Sequence, residues 1–138
     1  MRVVHRLFEM LIPRRPVSHQ AKDRDNLQDW KNYVYGRARS AWARGLPLYG
    51  SSFRFTIVYL CGDSPADIDN IIKPIQDALV GVVFSDDSLV SDVDSHRRFI
   101  SDGIDLTNLP ALLIEGALSG EECVYVAVDS AGPLGSYL

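Results

Sequence analysis

Residues 52–84 read SFRFTIVYLCGDSPADIDNIIKPIQDALVGVVF, and the order of patterns in this stretch decides the fold class. Ser52–Cys61 alternates in polarity and is rich in β-branched and aromatic residues, which suits a half-buried strand. The turn GDSPAD follows. The apolar positions then change to helical spacing. Ile71, Ile75, Ala78 and Leu79 share one face, which predicts a helix over Asp69–Val80, and Gly81 ends it. Strand, turn and helix in succession open an α/β unit.

Working outward, Phe8–Ile12 reads as a short strand ended by Pro13. The loop PRRPVSHQ is held extended by its two prolines. A helix begins near Asp25, with Gln28 three residues on as a capping-box partner. Leu27, Trp30, Val34, Ala38 and Ala41 form its buried stripe, and it gives way by Gly45 and Pro47. Downstream, Val93–Ile100 is a candidate strand. Leu109–Ala117 is a short helix capped by Asn108, with Pro110 near its first turn, and Cys123–Val128 is a last strand. Residues 130–138 are expected to be loose. The sum is a single α/β domain over residues 1–138, with a mixed sheet of four strands interleaved with three helices.

Composition bounds the function. In 138 residues, 46% are apolar and 23% charged, enough to bury a core without disulfides or a metal staple. No apolar run reaches the ~18 residues that a membrane span needs. The first residues are broken by Arg2, His5, Arg6 and Glu9, so they read as neither a signal segment nor an anchor. Cys61 and Cys123 lie in apolar strand-like runs and read as reduced core residues of a cytoplasmic protein. Trp30 and Trp42 read as core or dimer-contact residues, and His5, His19 and His96 as surface or packing residues.

The net charge of −4 conceals a division. Residues 1–54 carry 11 basic and 4 acidic side chains, a balance of +7; residues 55–138 carry 3 and 14, a balance of −11. Such sorting suits a polyanion held in one place and a metal ion in another, and equally an ordinary surface. Lys31, Arg37, Arg39 and Arg44 lie off the buried stripe of the first helix and are the expected nucleic-acid contacts.

The acidic half is densest at Asp67, Asp69, Asp77, Asp86 and Asp87, with Lys73 among them. Carboxylates brought together repel unless a cation neutralises them, and all-oxygen ligands suit Mg²⁺ or Mn²⁺ rather than zinc. The same residues also fit plainer roles. Asp69, Lys73 and Asp77 stand at i, i+4 and i+8 and suit a solvated ion-pair ladder, and Asp86-Asp87 suits a polar turn. The ligand pattern of an EF-hand, a P-loop and a nucleophile elbow are all absent. Pro74 is awkward inside a helix capped by Asp69, because its ring clashes with the carbonyl four residues back. The helix therefore starts later or kinks there.

The run DIDNIIKPIQDALVGVVFSDDSLV resembles the signature of the RusA family of Holliday-junction resolvases. That signature is roughly D-x-D-N-x-x-K, then D-A-L, then D-D-x-x-V. Asp67, Asp69, Asn70, Lys73, Asp77-Ala78-Leu79, Asp86-Asp87 and Val90 match it. Weaker resemblance extends to PVSHQ near the start and to GEECVYVAV near the end. Ala66 and Gln76 depart from it; well-known members carry a basic and an aromatic residue there.

The resemblance implies a dimeric α/β fold that cuts branched DNA with Mg²⁺. It implies that Asp67, Asp69 and Asp87 bind the metal, with Asp86 as a further candidate, and that Lys73 assists catalysis. Asn70 joins the expected nucleic-acid contacts. No organic cofactor and no membrane partner are expected, and Mn²⁺ is expected to substitute for Mg²⁺. The sequence reading is therefore a Mg²⁺-dependent endonuclease acting on branched DNA in recombination and repair. Its alternatives are a nuclease of this fold acting on other DNA or RNA structures, as in phage conflict, and a non-catalytic nucleic-acid-binding module.

Overall fold

A computed structural model describes residues 6–50 and 52–138. The surface reading of His5 lies outside them. Four strands form one sheet: β1 (Arg6–Ile12), β2 (Phe53–Cys61), β3 (Val90–Phe99) and β4 (Cys123–Ser130), in the spatial order β1-β4-β2-β3. β4 pairs antiparallel with β1 and with β2, and β2 pairs parallel with β3. The sheet is therefore mixed, as the sequence predicts. Its one parallel pair is joined through helix α2 (Ile68–Leu79), the crossover that parallel strands require.

Two helices cover one face. α1 (Arg24–Ala41) buries Leu27, Trp30, Val34 and Ala38, and α2 buries Ile71, Pro74, Ile75, Ala78 and Leu79. They close over Phe55, Ile57 and Tyr59 of β2 and Val124, Val126 and Val128 of β4. α3 (Ala111–Ser119) covers part of the opposite face, where Leu113 packs with Leu60, Cys123 and Tyr125. A Cβ at Gly116 would come within 2.9 Å of both Cys123 Sγ and a Leu11 methyl, so glycine there lets α3 lie close on the sheet. β4 is apolar from Cys123 to Val128 because that stretch is buried on both faces. Among the described residues no helix is long and apolar enough to cross a membrane.

The elements differ from the sequence reading mainly at their ends. Asp23, not Asp25, caps α1: its carboxylate accepts the N–H of Asn26 at 3.0 Å. Asp25 falls in the first turn, where its charge still suits the helix dipole. Gln28 donates forward to Asn32 at 3.0 Å and closes no capping box. The buried stripe ends on Trp42 instead of Ala41, which is exposed. The backbone turns extended at Trp42, so its ring packs edge-on against Phe8 and its indole N–H reaches Leu46 O at 3.1 Å.

β3 starts three residues earlier than expected because it pairs with β2 over nearly its whole length. α3 begins after Pro110, its N-cap, while Asn108 takes a left-handed turn with φ of 60°. The closing segment, expected to be loose, folds into a 3₁₀ turn at Leu134–Ser136. Arg54 lies over the Tyr137 ring at 4.4 Å, and the Tyr137 hydroxyl accepts the N–H of Gly132 at 2.8 Å. Cys61 and Cys123 are both free and buried.

Candidate active site

The acid-rich run is carried by α2 and the turn that follows it. Asp67 is the N-cap of α2, with an extended backbone, yet its carboxylate makes no capping hydrogen bond. Asp67 and Asp69 are both exposed at the first turn. There two negative charges are favoured by the unpaired N–H groups of the helix start.

α2 starts earlier than Asp69 and continues through Pro74 to Leu79. Proline has no N–H to offer the carbonyl of Asn70, four residues back. That carbonyl accepts the backbone N–H of His19 instead, at 2.7 Å. Val80 then turns extended and Gly81, with φ of 84°, lets the chain reverse.

The reversal brings Asp87 back to the middle of α2. Lys73 Nζ lies 2.8 Å from Asp77 Oδ1 and 3.2 Å from Asp87 Oδ2. Asp77 also faces Lys31 Nζ of α1 at 3.4 Å. Hydrogen bonding to Asp77, then to Asp87, raises the Lys73 pKa, so the ammonium stays protonated at neutral pH. Asp86 is otherwise engaged. Its carboxylate accepts from the Ser88 hydroxyl and backbone N–H, caps the 3₁₀ turn Asp87–Leu89, and is held below the usual carboxylate range by those bonds. Asp87 rather than Asp86 therefore faces the lysine.

Asp67 stands six residues before Lys73, about 9 Å along the helix axis. Among the described residues no three histidine, cysteine, aspartate or glutamate side chains are gathered closely enough to hold an ion. Of the ladder that the sequence allows, the rung made is Lys73–Asp77. In donor chemistry Asp67, Asp69 and Asp87 fit a hard divalent cation, since they are exposed or part-exposed carboxylates with no competing thiol or imidazole in the run. Asp87 already faces a positive charge, the Lys73 ammonium.

The basic residues read onto the first helix take different roles, and Arg44 lies past its end at Ala41. Arg39 is exposed, and Arg44 lies 5.8 Å from the Trp42 ring. Arg37 donates to the carbonyl of Leu11 at 2.7 Å, and Lys31 is engaged with Asp77. The segment between β1 and α1, which the sequence marks as an extended loop without candidate site residues, carries further basic contacts. Arg14 lies 3.9 Å over the Tyr33 ring, and Arg15 donates to the carbonyl of Ser64 at 2.6 Å. With His19 on Asn70, this basic arm runs beside the turn that carries Asp67. The signals for it in the sequence are the basic balance of residues 1–54 and the resemblance of PVSHQ to a family pattern.

The family model for endodeoxyribonuclease RusA matches residues 12–106. The chain belongs to the RusA family. The matched span runs from the end of β1 through the arm, α1, β2, α2 and β3, so it includes every residue of the acidic run. A search of curated proteins found no match. RusA proteins are endodeoxyribonucleases. A cavity of about 550 Å³ lies elsewhere, on the α3 face, lined by Val58, Leu60, His96, Arg98, Leu113 and Tyr125 among others. None of the candidate acids lines it.

Proposed function

We propose that this RusA-family chain is a Mg²⁺-dependent endonuclease that cleaves branched DNA, most simply by resolving four-way junctions in recombination and repair. The observation that carries the reading is the placement of the motif. Asp67 holds the N-cap of α2 with its carboxylate uncommitted, and Asp87 returns across the helix to Lys73. Asp67, Asp69 and Asp87 would hold the cation, with Mn²⁺ able to substitute. When bound, the divalent ion supplies neutralisation of the acids and polarisation of the phosphoryl oxygens.

The remaining roles belong to the protein. Lys73 places a fixed positive charge beside the scissile phosphate and stabilises the negative charge that develops there. Asp77, held from behind by Lys31, keeps Lys73 protonated and pointed. Asp86 is assigned to the turn instead of the ion. Arg39, Arg44 and Asn70, with the arm residues Arg14 and Arg15, line the proposed DNA path. Lys31 and Arg37 serve that path indirectly, through their protein partners. Paired cuts at a symmetric junction need two sites, so the working unit is a homodimer with two-fold symmetry. A reducing cytoplasm suits the two buried free cysteines.

The test is a panel of matched substrates. Pure protein with Mg²⁺ is incubated with four-way, three-way, flap and linear duplex DNA of one sequence. The reading expects the four-way junction to be cut fastest, by paired nicks. Preference for a flap, a single strand or RNA would move the activity to another substrate. Binding without any cutting would make the chain a non-catalytic module.

A further inference from the structure

Glu122 opens the turn into β4 and lies outside the span that the family model matches. Its Oε1 accepts the backbone N–H of Gly62 at 2.7 Å and the hydroxyl of Tyr59 at 3.1 Å. Both of its oxygens lie 3.4 Å from Arg15 Nη1. Arg15 in turn donates through Nη2 to the carbonyl of Ser64 at 2.6 Å. One carboxylate therefore joins the end of β2, the start of β4 and the basic arm. The chain it restrains, Gly62–Ser64, leads within three residues to Asp67. On the far side of the two acids, the arm is pinned again by His19 on Asn70.

We propose that Glu122, acting through Arg15 and the Gly62 amide, is a positioning residue that fixes the approach of Asp67 and Asp69 to the divalent cation. The proposal rests on the reading of those two acids as ligands. The physical case is one of restraint. Gly62–Ala66 is a short loop without regular structure, and the exposed acids that follow it, Asp67 and Asp69, repel one another before any ion arrives. Held at Gly62 N, Ser64 O and Asn70 O, the backbone on both sides of Asp67 has little freedom left. The ordering of the ligands is then done in advance. Glu122 is assigned no part in the chemistry itself: its Oε1 is held by Gly62 and Tyr59, and both of its oxygens face Arg15. Glycine at position 62 fits this role: a Cβ would stand 3.3 Å from Glu122 Oε1 and push the carboxylate back.

The test is the affinity of the DNA-free protein for Mn²⁺, read from the paramagnetic resonance signal of the free ion. The proteins are wild type, Asp67→Asn, Glu122→Ala, Glu122→Gln and Arg15→Ala, each with a melting temperature. Supporting partners of metal ligands are worth about 10–100-fold in affinity, so Glu122→Ala should weaken Mn²⁺ by that factor in protein that is still folded. Glu122→Gln keeps an acceptor for Gly62 and should lose less. Arg15→Ala, an exposed side chain, should weaken binding in the same direction. If Glu122→Ala does not fold, Glu122→Gln and Arg15→Ala decide, and wild-type affinity in both overturns the proposal. So does wild-type affinity in folded Glu122→Ala while Asp67→Asn has lost it. Wild-type affinity in Asp67→Asn instead overturns the ligand assignment, and the positioning role falls with it.

Discussion

The backbone N–H of His19 lies 2.7 Å from the carbonyl oxygen of Asn70, the carbonyl that Pro74 leaves without a helical partner. A proline that is costly inside a helix thereby frees an acceptor between the two acidic ends of the motif, and the basic arm uses it. The His19 amide should therefore exchange slowly with solvent although its residue is exposed. Pro74→Ala supplies a competing N–H and should speed that exchange, as followed by amide hydrogen exchange. Unchanged protection in the variant would mean that the proline and the arm are independent.

Lys73 should matter to cleavage far more than to folding. Its pairs with Asp77 and Asp87 are solvent-exposed, and pairs of that kind are worth about 0.2–1 kcal/mol. As a charge stabiliser beside the phosphate, its loss should slow cutting by about 10²–10³-fold. Single-turnover cleavage by Lys73→Ala, with a melting curve alongside, separates the two. A wild-type rate would return the residue to a surface ion pair.

The basic residues on and just after α1 should divide in their effect on DNA binding. Charge reversal at Arg39 and Arg44, neither of which is tied, among the described residues, to a backbone carbonyl or a carboxylate, should lower the slope of log affinity against log salt by about 0.9 for each phosphate no longer neutralised. Arg37, committed to Leu11 O, should change that slope less on conversion to Gln. Equal slopes in all the variants would place the DNA on another face.

Much of this site was legible because its signals are local. The helical spacing of Ile71, Ile75, Ala78 and Leu79, the acids around them and the strand before them all fall within one continuous stretch, and each is buried or exposed as that spacing requires. The α1 stripe failed at its end for a tertiary reason: Trp42 lies past the helix and is buried only because Phe8 of β1 comes to meet it. Asp25 and Asp23, two residues apart, are alike as caps until the backbone is known, and the helix uses Asp23. The arm and Glu122 were invisible as contacts. Arg15 and Glu122 are 107 residues apart, and nothing in either neighbourhood announces the other.

Alkaline pH gives a check on the Tyr59–Glu122 contact. Burial, then the neighbouring Glu122 carboxylate, pushes the Tyr59 phenol up to about 12. A phenol raised above its unfolded value contributes stability that is whole below pH 10 and is lost as pH climbs from 10 to about 12. Tyrosinate absorbance of the folded protein should show this ring ionising late, and Tyr59→Phe should lower the late amplitude by one ring, the buried Tyr125 still ionising late. Ionisation of the same ring near pH 10 in folded protein would argue that it is open to water.

The central claim is that the carboxylates of residues 67–90 bind a divalent ion that cleavage requires. It is met most directly by comparing wild type with Asp69→Asn on a four-way junction, in Mg²⁺ and in chelator, with cutting and binding measured on the same samples. The account predicts paired nicks for wild type in Mg²⁺ and none in chelator. Asp69→Asn should cut nothing while binding the junction as tightly or more tightly, since one charge repelling phosphate is gone. Full cutting in chelator, or by Asp69→Asn, would contradict the account.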